Sequence, residues 1–295
     1  MEYLNDFIHY LSSEKKMAQN SLEAYKRDII EFAGQIREKQ DLALDEASNT
    51  EVVSFLLSLK NEGKSAATLN RKIASLRAFY NYLALKKLIQ DNPTENIKSP
   101  KIERKSIEYL TIEEVENLLS MPDKSIKGLR DSAILELLYA TGIRVSEVVE
   151  MNLEDVNLRM GFVTCTGEHG KARIIPMGRP SRTAVEEYIY EVRPKFIRDI
   201  GSNENALFVN YSGSRFTRQG LWKLLKQYAE LAGLENRLTP QTLRNSFAVH
   251  MIQNGADLKT LQELMGHEDI SATQIYLSVS KNRIKEVYDK SHPRA

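Results

Sequence analysis

The sequence predicts a mainly α-helical protein of two domains that carries one small β hairpin. Apolar residues recur at helical spacing before residue 90, a proline-containing basic stretch interrupts this pattern, and β-branched residues follow a glycine-containing turn further on. A chain of 295 residues is long enough for two cores. We therefore predict a helical domain at residues 1–90, a basic linker at 91–107 and a mixed α/β domain at 108–295.

Four helices are predicted in the first domain. Asn20 and Glu23 have the spacing of a capping box at the start of the second helix, and Gly63 ends the third. No strand-like alternation occurs before residue 100, and four helices of this length form a small bundle. The apolar periodic segments lie at residues 4–11, 22–32, 52–57 and 66–84.

The linker is predicted to be extended and basic. Pro93 and Pro100 disfavour helix at and before their own positions. An ordinary solvated loop and a contact with a DNA backbone both fit this composition, and the charge density favours the contact. The basic residues of the linker are Lys98, Lys101, Arg104 and Lys105.

The second domain is predicted to begin with a helix at Thr111, since Thr111 and Glu114 again have capping-box spacing. A glycine-containing turn at 167–170 joins two segments with the character of strands, so a hairpin is predicted there. The further predicted elements are helices around 128–140 and 145–151, hairpin strands at 162–166 and 172–177, a short strand at 207–210, and helices from 217 to 289.

Composition and charge indicate a local anionic partner. The formal net charge is only +1, but residues 60–105 hold eleven basic and four acidic residues. The single cysteine, Cys165, rules out an internal disulfide framework. The N-terminus lacks the features of a secretory signal, and no segment is long and apolar enough to span a bilayer. We predict a cytoplasmic, nucleoid-associated protein with no membrane partner.

The second half of the chain holds the residue types that cleave a phosphodiester without a metal ion. The phosphate oxygens gain charge toward the transition state, so fixed cations must contact them, and arginine does so in a bidentate manner. A tyrosine can act as the nucleophile, and the leaving 5′-oxygen needs a proton. The sequence has no metal-ligand cluster and no phosphate-binding glycine loop, so no metal and no cofactor is predicted. The candidates are Arg144, Lys171, Arg244, His267 and Tyr276.

Each candidate taken alone also has a structural explanation. Arg144 fits a surface arginine that pairs with Glu147 on one helical face, and Lys171 stands at a hairpin tip. A tyrosine such as Tyr276 in a short amphipathic helix is more often part of a core. The co-occurrence of all five residues carries the prediction.

A DNA-contacting surface is predicted in both domains. On the fourth helix, Thr68, Arg71 and Ser75 lie opposite the apolar stripe, with Lys64 ahead of the helix and Lys72 beside this face. Cations and hydroxyls would then point outward, as phosphate contacts require. A merely solvated charged face is the alternative. The other candidates are Arg77, Arg173, Arg215, Thr217 and Arg218, in addition to the linker residues.

Four stretches, in this order, resemble the tyrosine recombinases and more narrowly the Xer-type recombinases. They are ATGIRVSE (140–147), TPQTLRNSFAVH (239–250), LMGHEDISATQIY (264–276) and HPRA (292–295). The similarity covers nearly the whole chain. It implies a SAM-like core-DNA-binding fold for the first domain and a tyrosine-recombinase catalytic fold for the second. It also implies that the C-terminal segment docks on a neighbouring protomer, with packing on its own domain as the alternative.

The resemblance implies a role for each candidate. Tyr276 would form a 3′-phosphotyrosyl link to the cleaved strand, and Lys171 would protonate the leaving 5′-hydroxyl. Glu147 would be a supporting acidic residue. The residues that match phosphate-binding positions of the family are Arg144, Arg244 and His267.

Two positions depart from the family pattern. Gln241 stands three residues before Arg244, where the family usually has histidine, and Asn245 replaces another frequent histidine. Glutamine can donate a hydrogen bond to a phosphate oxygen but cannot usefully accept a proton at neutral pH. We expect an active enzyme with a reduced cleavage rate, because the other five positions are intact.

The leading interpretation is a site-specific recombinase that acts through a Holliday junction to resolve chromosome or plasmid dimers at cell division. An integrase of a mobile element, a DNA-binding paralogue with weakened catalysis and a type IB topoisomerase are the alternatives. The resemblance implies three partners: double-stranded DNA with a specific core site, further protomers in a homotetramer or a heterotetramer with a paralogous recombinase, and a DNA-translocating division ATPase.

Overall fold

The structure is a computed structural model of the chain, and it describes residues 2–101, 106–167, 170–197, 204–267 and 269–277. The chain divides into two compact units, Met1–Lys105 and Ser106–Ala295. Among the described residues, none of the helices is both long and apolar enough to cross a membrane.

The first unit contains the four predicted helices around one core. The apolar stripe predicted on the fourth helix is buried, and aromatic rings such as Phe7 and Phe79 pack edge to face beside it. Burying this stripe is what makes the segment a stable helix in the bundle. The helices are α1 (Glu2–Ser13), α2 (Gln19–Gln40), α3 (Asn49–Asn61) and α4 (Ala66–Leu85).

The helix starts in this unit are only partly those predicted. Ser48 accepts a hydrogen bond from the backbone N–H of Thr50 and caps α3, and Ser65 caps α4 through the N–H of Thr68. The predicted capping box at the start of α2 is wrong. Ala18 is the residue before that helix, and no side chain caps it.

The described part of the predicted linker is attached to the first unit. Side-chain amides and a guanidinium hold its carbonyls: Asn49 donates to Pro93, Arg77 to Ile97 and Asn70 to Pro100. Pro93 is buried. These residues therefore follow the surface of the helical unit rather than forming a free tether. Lys98 and Lys101 are exposed, whereas Arg104 and Lys105 lie outside the described residues.

The second unit combines helices with a three-stranded antiparallel sheet. The predicted hairpin and the capping box of Thr111 with Glu114 are confirmed, and Val163 pairs with Ile175 in the hairpin register. The sheet order is β1–β2–β3. The elements are α5 (Ile112–Ser120), α6 (Ile126–Thr141), α7 (Val145–Glu150), β1 (Val156–Asn157), β2 (Phe162–Thr166), β3 (Ala172–Pro176), α8 (Arg179–Glu187), α9 (Arg193–Ile197), α10 (Arg218–Leu231), α11 (Pro240–Gln253), α12 (Leu258–Met265) and α13 (Ser271–Gln274).

Two predicted elements differ in the structure. Residues 207–209 of the segment at 207–210 are buried, but the segment forms no strand, since only an isolated bridge joins Val209 to Arg215. Its apolar residues fill the core without a partner strand, and periodicity alone does not separate these cases. The predicted helices beyond residue 277, and the predicted docking segment at the C-terminus, lie outside the described residues.

Helix α11 is central to the second unit. All residues from Thr242 to His250 are buried, because the helix packs on α6 on one side and on α12 on another. Polar residues on this helix, including Arg244 and Asn245, therefore lie inside the protein rather than on its surface. Buried polar groups must find partners, and those partners define the candidate site.

Candidate active site

Arg244 links the two turns that precede Arg144 and His267. Its guanidinium donates to the carbonyl of Gly142 and to the carbonyl of Met265, each at 2.5 Å. Both carbonyls belong to helix ends that close with a left-handed glycine, Gly142 after α6 and Gly266 after α12. The buried arginine thereby fixes the backbone of the two turns that lead to Arg144 and His267.

Gly142 is required at its position for two reasons. Its φ of 58° lies in the left-handed region, where side chains are disfavoured. A Cβ there would also collide with the ring of Phe247 on α11. The turn that carries Arg144 can therefore lie directly against α11 only because residue 142 has no side chain.

Glu147 holds two arginines in this region. Its carboxylate accepts hydrogen bonds from both terminal nitrogens of Arg173, at 2.8 and 2.9 Å, and from the backbone N–H of Arg144 at 2.7 Å. Burial opposes ionisation, but these hydrogen bonds outweigh it and lower the pKa of Glu147. The carboxylate is therefore charged and supports the turn of Arg144.

The side chain of Arg144 is 39% exposed, and its Nη1 lies 3.4 Å from Glu147. It is more accessible than Arg173, which also donates to the carbonyl of Leu264. Arg173 was predicted to contact DNA, but this bonding ties its guanidinium to Glu147 and to α12. Arg144 is thus the most exposed of the described arginines at this site.

His267 contacts Arg244 on one ring nitrogen and Thr273 on the other. Nε2 lies 3.2 Å from Nη2 of Arg244, and Nδ1 lies 2.8 Å from Oγ1 of Thr273. Burial and the nearby guanidinium groups lower the pKa of His267 to about 4. The imidazole is therefore neutral at pH 7 in the absence of a bound anion.

Arg244 remains a cation in this environment. Burial and the repulsion of Arg144 lower its pKa to about 10. A guanidinium with this pKa is still protonated at neutral pH. An anion placed between Arg144 and Arg244 would relieve their repulsion, so the arrangement favours a phosphate at that position.

Tyr276 is buried, with 1% of its surface exposed, and its hydroxyl donates to Oδ1 of Asn245 at 3.0 Å. The same oxygen accepts from Nε2 of Gln241 at 2.8 Å, and Nδ2 of Asn245 donates to the carbonyl of Glu108 at 3.0 Å. Burial raises the pKa of the Tyr276 phenol, against the opposing charges of Arg244 and Arg144. The phenol is therefore neutral in this state.

The two positions that depart from the family pattern thus act together on Tyr276. Sequence reasoning treated Gln241 as a catalytic substitution and set Asn245 aside. It did not connect either residue with Tyr276. The contact of Thr273 with His267 was also missed, although Thr273 lies on the turn directly before Tyr276.

Lys171 lies apart from this cluster in the described contacts. It is exposed next to β3, and its backbone carbonyl accepts from Gly167 across the hairpin turn at 2.9 Å. None of the described hydrogen bonds joins its side chain to the arginines or to Tyr276. The structure therefore brings together four of the five candidates and leaves Lys171 on the neighbouring hairpin.

The outward placement predicted for two residues of α4 is wrong. Lys72 is 3% exposed and pairs with Asp28 at 3.2 Å and Glu31 at 2.6 Å. Ser75 is fully buried and donates to Asp28. The cause is α2, which packs against this side of α4 and provides the buried carboxylate of Asp28.

The other predicted DNA contacts of the first unit differ in accessibility. Arg71 pairs with Asp28 but keeps an exposed side chain, and Lys64 is exposed beside Glu62. Thr68 is half-buried next to the cap of α4. Arg77 is committed to the carbonyl of Ile97.

In the second unit, Arg215 is committed to the protein itself. Its guanidinium donates to the carbonyls of Val149 and Met151 and to Oδ1 of Asn152. Thr217 caps α10, and Arg218 is exposed at 3.6 Å from Glu150. Thr217 and Arg218 are therefore accessible to an anion, whereas the guanidinium of Arg215 is bonded to the end of α7 and the segment that follows it.

Comparison with known proteins supports the predicted family. Residues 108–283 match the model of the phage integrase family, and residues 4–87 match the phage integrase N-terminal SAM-like domain. Tyrosine recombinase XerD of Oceanobacillus iheyensis is 43% identical over 297 residues, covering 100% of both chains. Tyrosine recombinase XerD of Listeria innocua is 43% identical over 296 residues, covering 100% of this chain and 99% of the other.

A solved structure has the same fold. The XerH site-specific recombinase, bound to palindromic difH substrate in a post-cleavage complex, aligns with a TM-score of 0.73 and 23% identity. The alignment covers 90% of this chain and 78% of that chain. The predicted SAM-like first domain and catalytic second domain are confirmed. The chain belongs to the phage integrase family and is a site-specific tyrosine recombinase, an enzyme that breaks and rejoins DNA.

Proposed function

We propose that Tyr276 attacks the scissile phosphate of a specific DNA core site. The phenolic oxygen forms a bond to phosphorus, and the bond from phosphorus to the 5′-oxygen breaks. The product is a 3′-phosphotyrosyl ester and a free 5′-hydroxyl. The observation that supports this proposal most is the bonding of Arg244, which donates to the carbonyl of Gly142 before Arg144 and contacts His267. The next residue, Asn245, accepts the hydrogen bond of the Tyr276 hydroxyl.

The two arginines and the histidine stabilise the transition state in this proposal. Arg144 is accessible, and Arg244 keeps its charge in a buried position where electrostatic interactions are strong. His267 donates a hydrogen bond to a phosphate oxygen. The phosphate charge offsets the repulsion between the arginines, so DNA binding completes a site that is electrostatically strained in its absence.

Lys171 supplies the proton that the leaving 5′-oxygen takes up. Lys171 is exposed on the hairpin, so a bound DNA strand can approach its side chain. This accessibility supports a role as proton donor. In the reverse reaction the same group removes the proton from an attacking 5′-hydroxyl. That hydroxyl displaces Tyr276 and reseals the strand without an external energy source.

The relatives support a proposal for the assembly and the biological role. We infer that protomers of this chain form a tetramer on two core sites, alone or with a paralogous recombinase, and exchange strands through a Holliday junction. The XerD names of the relatives support a role in resolving chromosome or plasmid dimers at cell division. A DNA-translocating ATPase of the division apparatus is the proposed accessory partner, and the nucleoid in the cytoplasm is the proposed location.

A DNA-binding paralogue with weakened catalysis is the second candidate. It is favoured by Asn245, whose amide oxygen accepts from the Tyr276 phenol, and by Gln241, which donates to that same oxygen. Neither amide can take the proton of the phenol. Both functions require DNA binding. They differ only in whether a covalent adduct forms.

The decisive experiment is the capture of that adduct. The probe is the duplex that the wild-type protein selects from a random-sequence library, with a nick placed at each core position in turn. We expect an SDS-stable protein–DNA complex with the wild type, none with Tyr276→Phe, and an unchanged yield with Tyr211→Phe, a control at an exposed tyrosine.

Specific binding without any adduct would instead assign the chain to the weakened paralogues. An adduct that persists in Tyr276→Phe would overturn the assignment of the nucleophile. Recovery of recombined product from the single purified chain would establish that no paralogous partner is needed.

A further inference from the structure

The hydroxyl of Thr273 lies against His267, on the turn that leads to Tyr276. Thr273 is fully buried, and its Oγ1 is 2.8 Å from Nδ1 of His267. Its carbonyl accepts from the backbone N–H of Tyr276 at 3.1 Å. One residue thus contacts both the imidazole and the turn of the nucleophile.

The contacts of His267 determine where its proton lies. An arginine side chain only donates hydrogen bonds, so Nε2 of His267 must accept the bond from Arg244 at 3.2 Å. A neutral imidazole carries its single N–H on the other nitrogen. Nδ1 therefore donates to Thr273, whose hydroxyl accepts. The low pKa of His267 agrees with this neutral form.

This tautomer is the opposite of the one that the proposed function requires. For His267 to donate to a phosphate oxygen through Nε2, that nitrogen must carry the proton and Nδ1 must accept. The imidazole then loses the proton on Nδ1 and gains one on Nε2, with water as carrier, and remains neutral. Such an exchange needs a neighbour at Nδ1 that suits both forms.

A hydroxyl is such a neighbour, because it both donates and accepts. We propose that Thr273 is a positioning residue for His267, whose hydroxyl accepts from Nδ1 in the DNA-free protein and donates to Nδ1 when Nε2 binds the phosphate. The role in the DNA complex rests on the proposed function. The role of Thr273 as acceptor in the DNA-free protein rests on the geometry alone.

Serine and valine at position 273 separate this role from packing. Valine has nearly the shape of threonine but lacks the hydroxyl, whereas serine keeps the hydroxyl and loses a methyl group. A packing role predicts that valine is the better replacement. A positioning role through the hydroxyl predicts that serine is the better one.

The first experiment needs no DNA. Long-range ¹H–¹⁵N correlation spectra of the full-length protein with labelled histidine report which ring nitrogen carries the proton, and His267→Gln assigns the signals. We expect the Nδ1–H tautomer at His267, with a slowly exchanging proton in the wild type and in Thr273→Ser. We expect that proton to exchange rapidly in Thr273→Val. An Nε2–H tautomer in the DNA-free wild type would overturn the proposal.

The second experiment measures covalent-complex formation on the selected nicked duplex. At saturating DNA we expect Thr273→Val to be slower by about tenfold or more, as for loss of one orienting hydrogen bond. We expect Thr273→Ser to lie within about threefold of the wild type. The DNA concentration for half-saturation should be unchanged in both variants, and thermal unfolding checks that both are folded.

The outcomes separate this proposal from the proposed function. Thr273→Val cleaving at the wild-type rate, or Thr273→Ser being as slow as valine, would reject the role of Thr273 while the Tyr276 adduct stands. If the wild type forms no adduct, the proposed function fails, and the spectra still decide whether Thr273 sets the tautomer.

Discussion

The hydroxyl of Tyr276 and the side-chain amide N–H of Gln241 donate to one oxygen atom, Oδ1 of Asn245. An amide oxygen has two lone pairs, and both are engaged here. The other end of the amide is fixed on the carbonyl of Glu108, so the orientation of Asn245 follows from its contacts. The phenol of Tyr276, the proposed nucleophile, therefore remains protonated and donates to an acceptor that cannot remove its proton.

The first prediction concerns the coupling between Asn245 and Tyr276. Asn245→Leu should lower the free energy of unfolding by about 1–3 kcal/mol, because it leaves a buried phenol without an acceptor. In the Asn245→Leu background, Tyr276→Phe should cost less than it does alone, with a coupling of about 1 kcal/mol. Chemical denaturation of the four proteins measures this cycle. Strict additivity would contradict the hydrogen bond.

The second prediction concerns Gln241. Gln241→His should speed covalent-complex formation on the selected duplex, by up to ~10²-fold, because an imidazole can accept a proton where an amide cannot. Gln241→Leu is the control, since it removes the amide without adding a base. If histidine and leucine give the same rate, proton transfer at this position does not limit cleavage.

The third prediction concerns the acid side of the stability profile. The folded-state pKa of His267 is about 4, below its ordinary value of 6.5, so the unfolded chain binds the proton more readily. The contribution of His267 to stability is complete above pH 6.5 and is lost as the pH falls from 6.5 toward 4. Denaturation across this window should show a smaller loss for His267→Gln than for the wild type.

The control for this pH series is His9→Gln. His9 lies exposed on α1 in the first unit. This variant should follow the wild-type profile. A His267→Gln profile that also parallels the wild type would mean that the imidazole is not held neutral.

The fourth prediction contrasts two glutamates of one short helix. Glu147→Gln should destabilise the second unit by about 3 kcal/mol, because it breaks a largely buried pair and leaves Arg173 without its counter-charge. Glu150→Gln on the same helix breaks the exposed pair with Arg218 and should cost less than ~1 kcal/mol. Equal effects of the two substitutions would contradict the role assigned to Glu147.

The fifth prediction concerns the salt dependence of DNA binding. Binding to the selected duplex should weaken by ~10³-fold or more from low to moderate salt if about six phosphates are contacted. Lys101→Ala should reduce the slope by about one phosphate, since Lys101 is exposed. Lys72→Met should leave the slope unchanged and lower stability, because Lys72 pairs with buried Asp28. A flat salt response would contradict a phosphate-based interface.

What the sequence predicted correctly was mostly local. The hairpin and the capping box of Thr111 depend on residues a few positions apart, and both are present. The placement of Lys72 depended on Asp28, which is 44 residues away, so the helical period of α4 alone gave the wrong face. The capping box predicted for α2 was wrong although it is a local feature, since Ala18 precedes that helix and no side chain caps it.

The candidate site divides in the same way. Spacing and residue type identified Arg144, Arg244, His267 and Tyr276 as a set, and the structure brings them together. Their hydrogen-bond partners were not predictable, since Tyr276 and Asn245 are 31 residues apart and meet only through the packing of α11. No sequence motif indicates which buried amide will accept the hydrogen bond of a phenol.

The bonds that Arg244 makes to two backbone carbonyls have a practical consequence for mutagenesis. Any replacement of Arg244 removes the hydrogen bonds to two helix ends together with a cation. The loss of activity in an Arg244 variant therefore does not by itself identify a catalytic role. Arg144 is better suited to separating the two roles, because its side chain is partly solvated and, among the described residues, its guanidinium makes a single long contact, with Glu147. Loss of turnover at residue 144 with an intact fold would isolate the chemical contribution of a guanidinium from its architectural one.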